Sequence, residues 1–118
     1  MGTKIIDALT AWNCDVTGAL ERFLGDEELY ISCLDIFAND ENFKNLKSAI
    51  DQHTYDVAFD CAHTLKGVSG NLGLSPLYQS IVEIVEPLRH KDYSNLNSQY
   101  ENINQLYQKF LSILKENK

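Results

Sequence analysis

Little in this chain interrupts a helix. Among 118 residues there are two prolines and six glycines, and no stretch rich in Val, Ile or Thr alternates with period two. Both scarcities argue against a sheet and for helices. The three cysteines, Cys14, Cys33 and Cys61, form no CxxC pair. An odd count without paired spacing argues against a disulfide framework and fits a reducing compartment, and each thiol sits among apolar residues, as a small buried hydrophobe would. No apolar run approaches the ~20 residues of a membrane span. The opening MGTKIIDALTAWNCD lacks the basic start and long apolar stretch of a signal peptide. A cytoplasmic protein with no membrane partner is expected. Basic residues are also few: ten Lys and Arg against seventeen Asp and Glu, net charge −7, with no basic run. Nucleic acid and anionic surfaces repel such a chain, so no nucleic-acid partner is expected.

What is present suits one small core. Hydrophobic residues make up 44% of the chain, enough for a single domain spanning 1–118 without disulfides or metal. A short first helix is expected over 4–12. Asp15 starts a second segment with Val16, Leu20 and Phe23 on one face, and Gly25 stops it. Asp26 then serves as an N-cap, and Leu29, Cys33, Ile36 and Phe37 recur at helical spacing. That helix either continues or kinks near Asn39 and Asp40, and Phe43, Leu46 and Ile50 carry the pattern to about Gln52. A further helix is expected from Tyr55 to Leu72, ended by Gly73. Ser75-Pro76 opens the next, with Ser as cap and Pro in the first turn, and Leu77, Ile81, Ile84, Val85 and Leu88 as its apolar face. Pro87 lies near its end, where it could kink the helix. The last helix is expected from Tyr93 to Lys115, facing inward with Leu96, Tyr100, Ile103, Leu106 or Tyr107, Phe110 and Leu114. The simplest fold is all-α: an antiparallel four-helix bundle with an additional short N-terminal helical segment.

The chemistry concentrates in DVAFDCAHTLKGVSGNLGL, residues 56–74. On a helix, Ala58, Cys61, Ala62, Leu65, Ser69 and Leu72 gather into one small, apolar stripe, the natural core face. His63 lies about 150° from the centre of that stripe, pointing to solvent. Its neighbours on the outer face are Phe59, Lys66, Gly67 and Gly70. An exposed His on its own is usually incidental. Two glycines beside it are not, because Gly inside a helix costs about 0.8–1 kcal/mol relative to Ala. They leave room for something to approach the imidazole. A neutral imidazole is a nucleophile that can hold a phosphoryl group on nitrogen. Lys66, three residues on, can set its ammonium against phosphoryl oxygens. Phosphoryl transfer needs positioning and charge neutralisation more than proton chemistry.

AHTLKGVSGNLG resembles the signature of the histidine-phosphotransfer (HPt) family of phosphorelays: His-x-x-Lys-Gly, a small-residue turn, then Leu-Gly. GALERFLGDEELY upstream resembles that family's entry segment, which ends in Gly-Asp-x-x-Leu. The likeness covers roughly residues 15–115. It implies a four-helix bundle with His63 as phospho-acceptor, Lys66 as phosphoryl contact and Gly67 as the small residue that admits a receiver domain. Phe59 and Gly70 join Gly67 as partner contacts because they share its face. The implied partner is the receiver domain of a response regulator or hybrid histidine kinase. The expected protein is a monomeric carrier without kinase activity or cofactor of its own, the Mg2+ residing on the receiver. Many members orient the imidazole with a Gln or Glu from the next helix. The matching position here is Val85, with Glu83 and Glu86 nearby.

Other readings have less support. His53 falls in an expected turn and His90 near a helix end, both structural. Cys61 and His63, two apart, do not face each other on a helix and make a poor metal pair. GVSGNLG has GxxGxxG spacing with no preceding strand, and no GK[ST] is present, so a nucleotide loop is not expected. An adaptor that binds receivers without phosphorylation is the alternative, since fold does not fix function.

Overall fold

Capping carboxylates set where the second and third helices begin. The computed structural model describes residues 3–117, and among them every regular element is a helix. These are α1 (Thr3–Ala11), α2 (Val16–Arg22), α3 (Glu27–Ala38), α4 (Asn42–Asp51), α5 (Tyr55–Asn71), α6 (Ser75–Arg89) and α7 (Leu96–Glu116). Asp15 accepts the Gly18 N–H at 3.0 Å and Asp26 accepts the Leu29 N–H at 3.1 Å, each supplying an acceptor to a first-turn amide. The expected caps are therefore in place. α2 ends through Leu24 and Gly25, both left-handed, and the Gly25 N–H returns to the Leu20 carbonyl at 2.8 Å.

Near Asn39 the chain breaks rather than continues. Asp40 Oδ1 accepts the Asn42 N–H at 2.8 Å, a local bond that competes with the helical ladder and separates α3 from α4. Two further boundaries differ from expectation. Leu74, not Ser75, occupies the cap position of α6, and the Ser75 hydroxyl donates to the Gly73 carbonyl instead. α7 begins at Leu96 and not at Tyr93, because Asp92 accepts from both the Ser94 N–H and its hydroxyl and holds the chain in a turn. α6 runs through Pro87 to Arg89.

α5 packs on α4 and α6, α6 packs on α7, and α7 also touches α4, α3 and α1. The buried face of α5 is Ala58, Cys61, Ala62, Leu65 and Ser69, with Leu72 just beyond, as the helical stripe implies. Ile81, Ile84, Ile103 and Phe110 meet it in one core. α3 is turned partly from its expected face. Phe37 is buried as expected, together with Tyr30 and Leu34, whereas Leu29 is 49% and Ile36 72% exposed.

The C-terminal end of α5 is tied down from the N-terminal helices. Arg22 donates from Nε to the Asn71 carbonyl at 2.9 Å and from Nη2 to the Gly70 carbonyl at 3.1 Å. The buried Tyr30 hydroxyl donates to the Leu72 carbonyl at 2.7 Å, and the Asp15 N–H to the Gly73 carbonyl at 2.8 Å. These are carbonyls that a helix end leaves without intrahelical partners. Gly73 is left-handed at φ 70°, and a Cβ there would lie 2.2 Å from the Asp15 carbonyl oxygen, so only glycine fits this junction.

Candidate functional site

His63 stands exposed near the middle of α5, on the side away from its buried stripe. Thr64 and Gly67 are exposed beside it, and Lys66 is half-buried one turn on. A Cβ built on Gly67 would meet nothing within 4 Å. The surface over His63 is therefore bare at that point, and steric need from this chain does not explain the glycine. Gly70 has a different reason to be small: a Cβ there would come within 3.0 Å of the Tyr78 ring. It packs α5 against α6.

Two recesses flank the imidazole. One, of about 670 Å³, lies toward α3 and includes Phe23, Cys33, Ile36, Phe37 and Val68 in its walls. It is mostly apolar, and the exposed Ile36 borders it. The other, of about 430 Å³, is walled by Arg22, Lys66, Gly70, Asn71 and Tyr78 and carries two cationic side chains. His63 and Gly67 line both. The imidazole thus stands on a ridge between an apolar and a cationic hollow.

Phe59 is half-buried one turn before His63, with ring centroids 5.7 Å apart and planes 29° from parallel. The Arg89 guanidinium of α6 lies 5.2 Å from the Phe59 centroid and pairs with Glu86 at 3.4 Å. Val85 is fully buried, so its side chain points into the core and not toward His63. No hydrogen bond joins Glu83 or Glu86 to His63 among the described residues.

Cys61 is buried on the opposite side of α5, and burial, with Asp60 and Asp40 nearby, pushes its thiol pKa up. It is directed away from His63 and is a poor thiolate. Among the described residues no group of three or more His, Cys, Asp or Glu side chains is placed to hold a metal ion, and no helix is long and apolar enough to cross a membrane. His53 lies in the turn after α4, and His90 caps α6.

The model of the Hpt domain family matches residues 37–112. The chain belongs to the Hpt domain family. The match takes in α4 to α6, most of α7 and the outer face of α5 around His63, while the GALERFLGDEELY segment lies outside it. Hpt domains are helical phosphocarriers of two-component signalling and interact with receiver domains, which gives this chain a phosphotransfer role in broad terms. No curated protein and no solved structure matches the chain.

Sequence reasoning placed the outer face of α5 but missed what surrounds it. Arg22, Tyr30 and Arg89 come from three other helices, and no local spacing links them to His63. The one available sign was Tyr30 itself, since a buried tyrosine needs an acceptor for its hydroxyl.

Proposed function

We propose that this protein is a histidine-containing phosphotransfer protein that takes a phosphoryl group onto His63 from a receiver aspartyl phosphate, or from a histidine kinase, and passes it to another receiver aspartate. The observation that carries this reading is the exposed imidazole beside a glycine with open space above it, in a chain of the Hpt family. The neutral imidazole nitrogen attacks phosphorus with its lone pair. The P–N bond forms as the P–O bond to the aspartate breaks, and the aspartate leaves as a carboxylate. Lys66 meets the phosphoryl oxygens as a point charge, and the receiver supplies the Mg2+ and the remaining groups.

The module is the whole chain, 1–118, acting as a cytoplasmic monomer without ATP chemistry of its own. The bundle we assign is α4 to α7 in antiparallel order, with α1 to α3 as the N-terminal segment. Its support is the short turns between successive helices and the packing of α7 on both α6 and α4. The receiver's footprint includes Phe59, Gly67 and the edge of Gly70, and extends over the apolar recess toward Ile36. Such a patch, apolar with a charged margin, suits a transient signalling contact.

The test is label transfer from phosphorylated receiver domains. Phosphohistidine is a phosphoramidate, so the label on wild type is expected to be lost in acid and to survive base. His63→Gln is expected to take no label while keeping its helical content. An acid-stable label, or a His63→Gln protein that accepts phosphate like wild type, would overturn the assignment. Binding of receivers without any labelling would favour the adaptor reading instead.

A further inference from the structure

An exposed imidazole on a helix has more than one staggered χ1 available and a broad χ2. Attack on phosphorus in a docked complex needs one of those orientations, because misplacing a reacting atom by about 1 Å can cost on the order of a hundredfold in rate. In this chain Val85 is buried, and the carboxylates of Glu83 and Glu86 form no hydrogen bond with His63. Among the described residues His63 makes a ring contact with Phe59. Residues four apart share a helix face, and helical side chains lean toward the N-terminus, so the imidazole leans onto Phe59. The 5.7 Å separation and 29° tilt fall in the offset-stacked range. Phe59 is itself restrained. It is half-buried, it borders a recess shared with Leu88 and Arg89, and the Arg89 guanidinium lies 5.2 Å from its centroid, within cation–π reach. Glu86, one turn before Arg89, holds that guanidinium at 3.4 Å. The acid on the neighbouring helix therefore connects to the imidazole through a cation and an aromatic ring rather than by a hydrogen bond.

We infer that Phe59 is a positioning residue for His63: its ring, restrained by Arg89, holds the imidazole in the orientation from which it receives and donates the phosphoryl group. The inference rests on the reading of His63 as the phospho-acceptor. It assigns Phe59 a role in the transfer step itself, beyond contact with the partner. Arg89 acts through Phe59, and Glu86 through Arg89. Because the Glu86–Arg89 pair is solvent-exposed, Glu86 contributes least of the three.

The variant to test is Phe59→Leu, which keeps an apolar side chain and removes the flat ring. Four measurements on the full chain separate the roles. Single-turnover transfer from a saturating phosphorylated receiver is expected to slow by on the order of tenfold or more. The Kd for the unphosphorylated receiver is expected to change by less than the transfer rate does, since Leu keeps an apolar contact within the footprint. Phosphoramidate, a small donor that needs no docked geometry, is expected to label Phe59→Leu and wild type alike. In NMR spectra the nuclear Overhauser contacts between the two rings mark the wild type, and the His63 side-chain couplings are expected to become rotamer-averaged in Phe59→Leu. Phe59→Trp is expected to restore both the fast transfer and the single rotamer. Unchanged transfer in Phe59→Leu, or a loss confined to Kd, would overturn the positioning role while leaving His63 as the carrier. Failure of wild type to take label from either donor would overturn the carrier reading, and this inference with it.

Discussion

The front of α5 and its C-terminal end are built on opposite plans. At the front, His63, Thr64 and Gly67 face solvent, and Gly67 has open space where a side chain would go. Two turns later the carbonyls of Gly70, Asn71, Leu72 and Gly73 each accept a hydrogen bond from α2, α3 or the residue that caps α2. One stretch of helix is left uncovered and the next is bound in place. The contrast teaches how a small domain can leave a side chain uncovered without losing rigidity: stiffness comes from behind and from the end, so nothing need stand in front.

The strongest way to break the contrast is to fill the front. Gly67→Gln meets no neighbour within this chain and raises helix propensity by up to about 1 kcal/mol. A thermal melt is expected to show equal or higher stability, while transfer from a receiver slows by on the order of a hundredfold because docking is obstructed. A Gly67→Gln protein with normal transfer would mean that the partner approaches elsewhere.

Attacking the bound end should produce the reverse pattern. Gly73→Ala forces a side chain into the left-handed region and against the Asp15 carbonyl oxygen, so denaturant unfolding is expected to show a loss of about 2 kcal/mol or more. Phosphoramidate labelling of the fraction still folded is expected to persist. Tyr30→Phe is milder. It removes one buried hydroxyl and leaves the Leu72 carbonyl without that donor, for an expected loss of about 1–2 kcal/mol. Measured additivity of Tyr30→Phe with Arg22→Ala would show whether the end is held as a unit, since donors sharing one helix terminus should couple.

The gentlest probe is alkali. Burial pushes the Cys14 thiol from 9.0 up to about 12, and burial also raises the Tyr30 phenol, with Cys14 nearby as a second cause. Between the unfolded and folded values the native state holds protons that the unfolded chain has lost. Stability from these groups is thus complete below about pH 9 and declines as pH rises through 12. Urea titrations across that range are expected to show a falling limb, shallower in Cys14→Ala and level near neutrality in both proteins.

The front of α5 was legible in the sequence, and the contacts that bind its end were not. A stripe of small apolar residues fixes which side of a helix is buried, so the opposite side, with His63 and Gly67, follows from angles alone. Asp15, Asp26 and Gly73 were equally readable, because caps and left-handed stops act within a few residues. α3 shows the limit. Leu29, Cys33, Ile36 and Phe37 recur at one helical spacing, and Tyr30, Leu34 and Phe37 at another that shares Phe37. Periodicity ranks the two alike, and the choice was settled by a tyrosine whose acceptor lies on α5. Gly67 and Gly70 look the same in sequence, yet one faces open space and the other the Tyr78 ring. Contacts between distant segments decide such cases, and spacing carries no record of them.

The occupied carbonyls also set a direction in time. Helices fray from their ends inward. At the start of α5 the cap residue Thr54 makes no side-chain cap bond, while the last carbonyls of the helix are held by Arg22, Tyr30 and Asp15. Opening of this helix is therefore expected to begin at the Tyr55 end and to run toward His63, through Phe59 first. In hydrogen exchange the amides after His63 should be the last of the helix to trade their protons, and a phosphoryl group on that imidazole would ride on the slowest part of the rod.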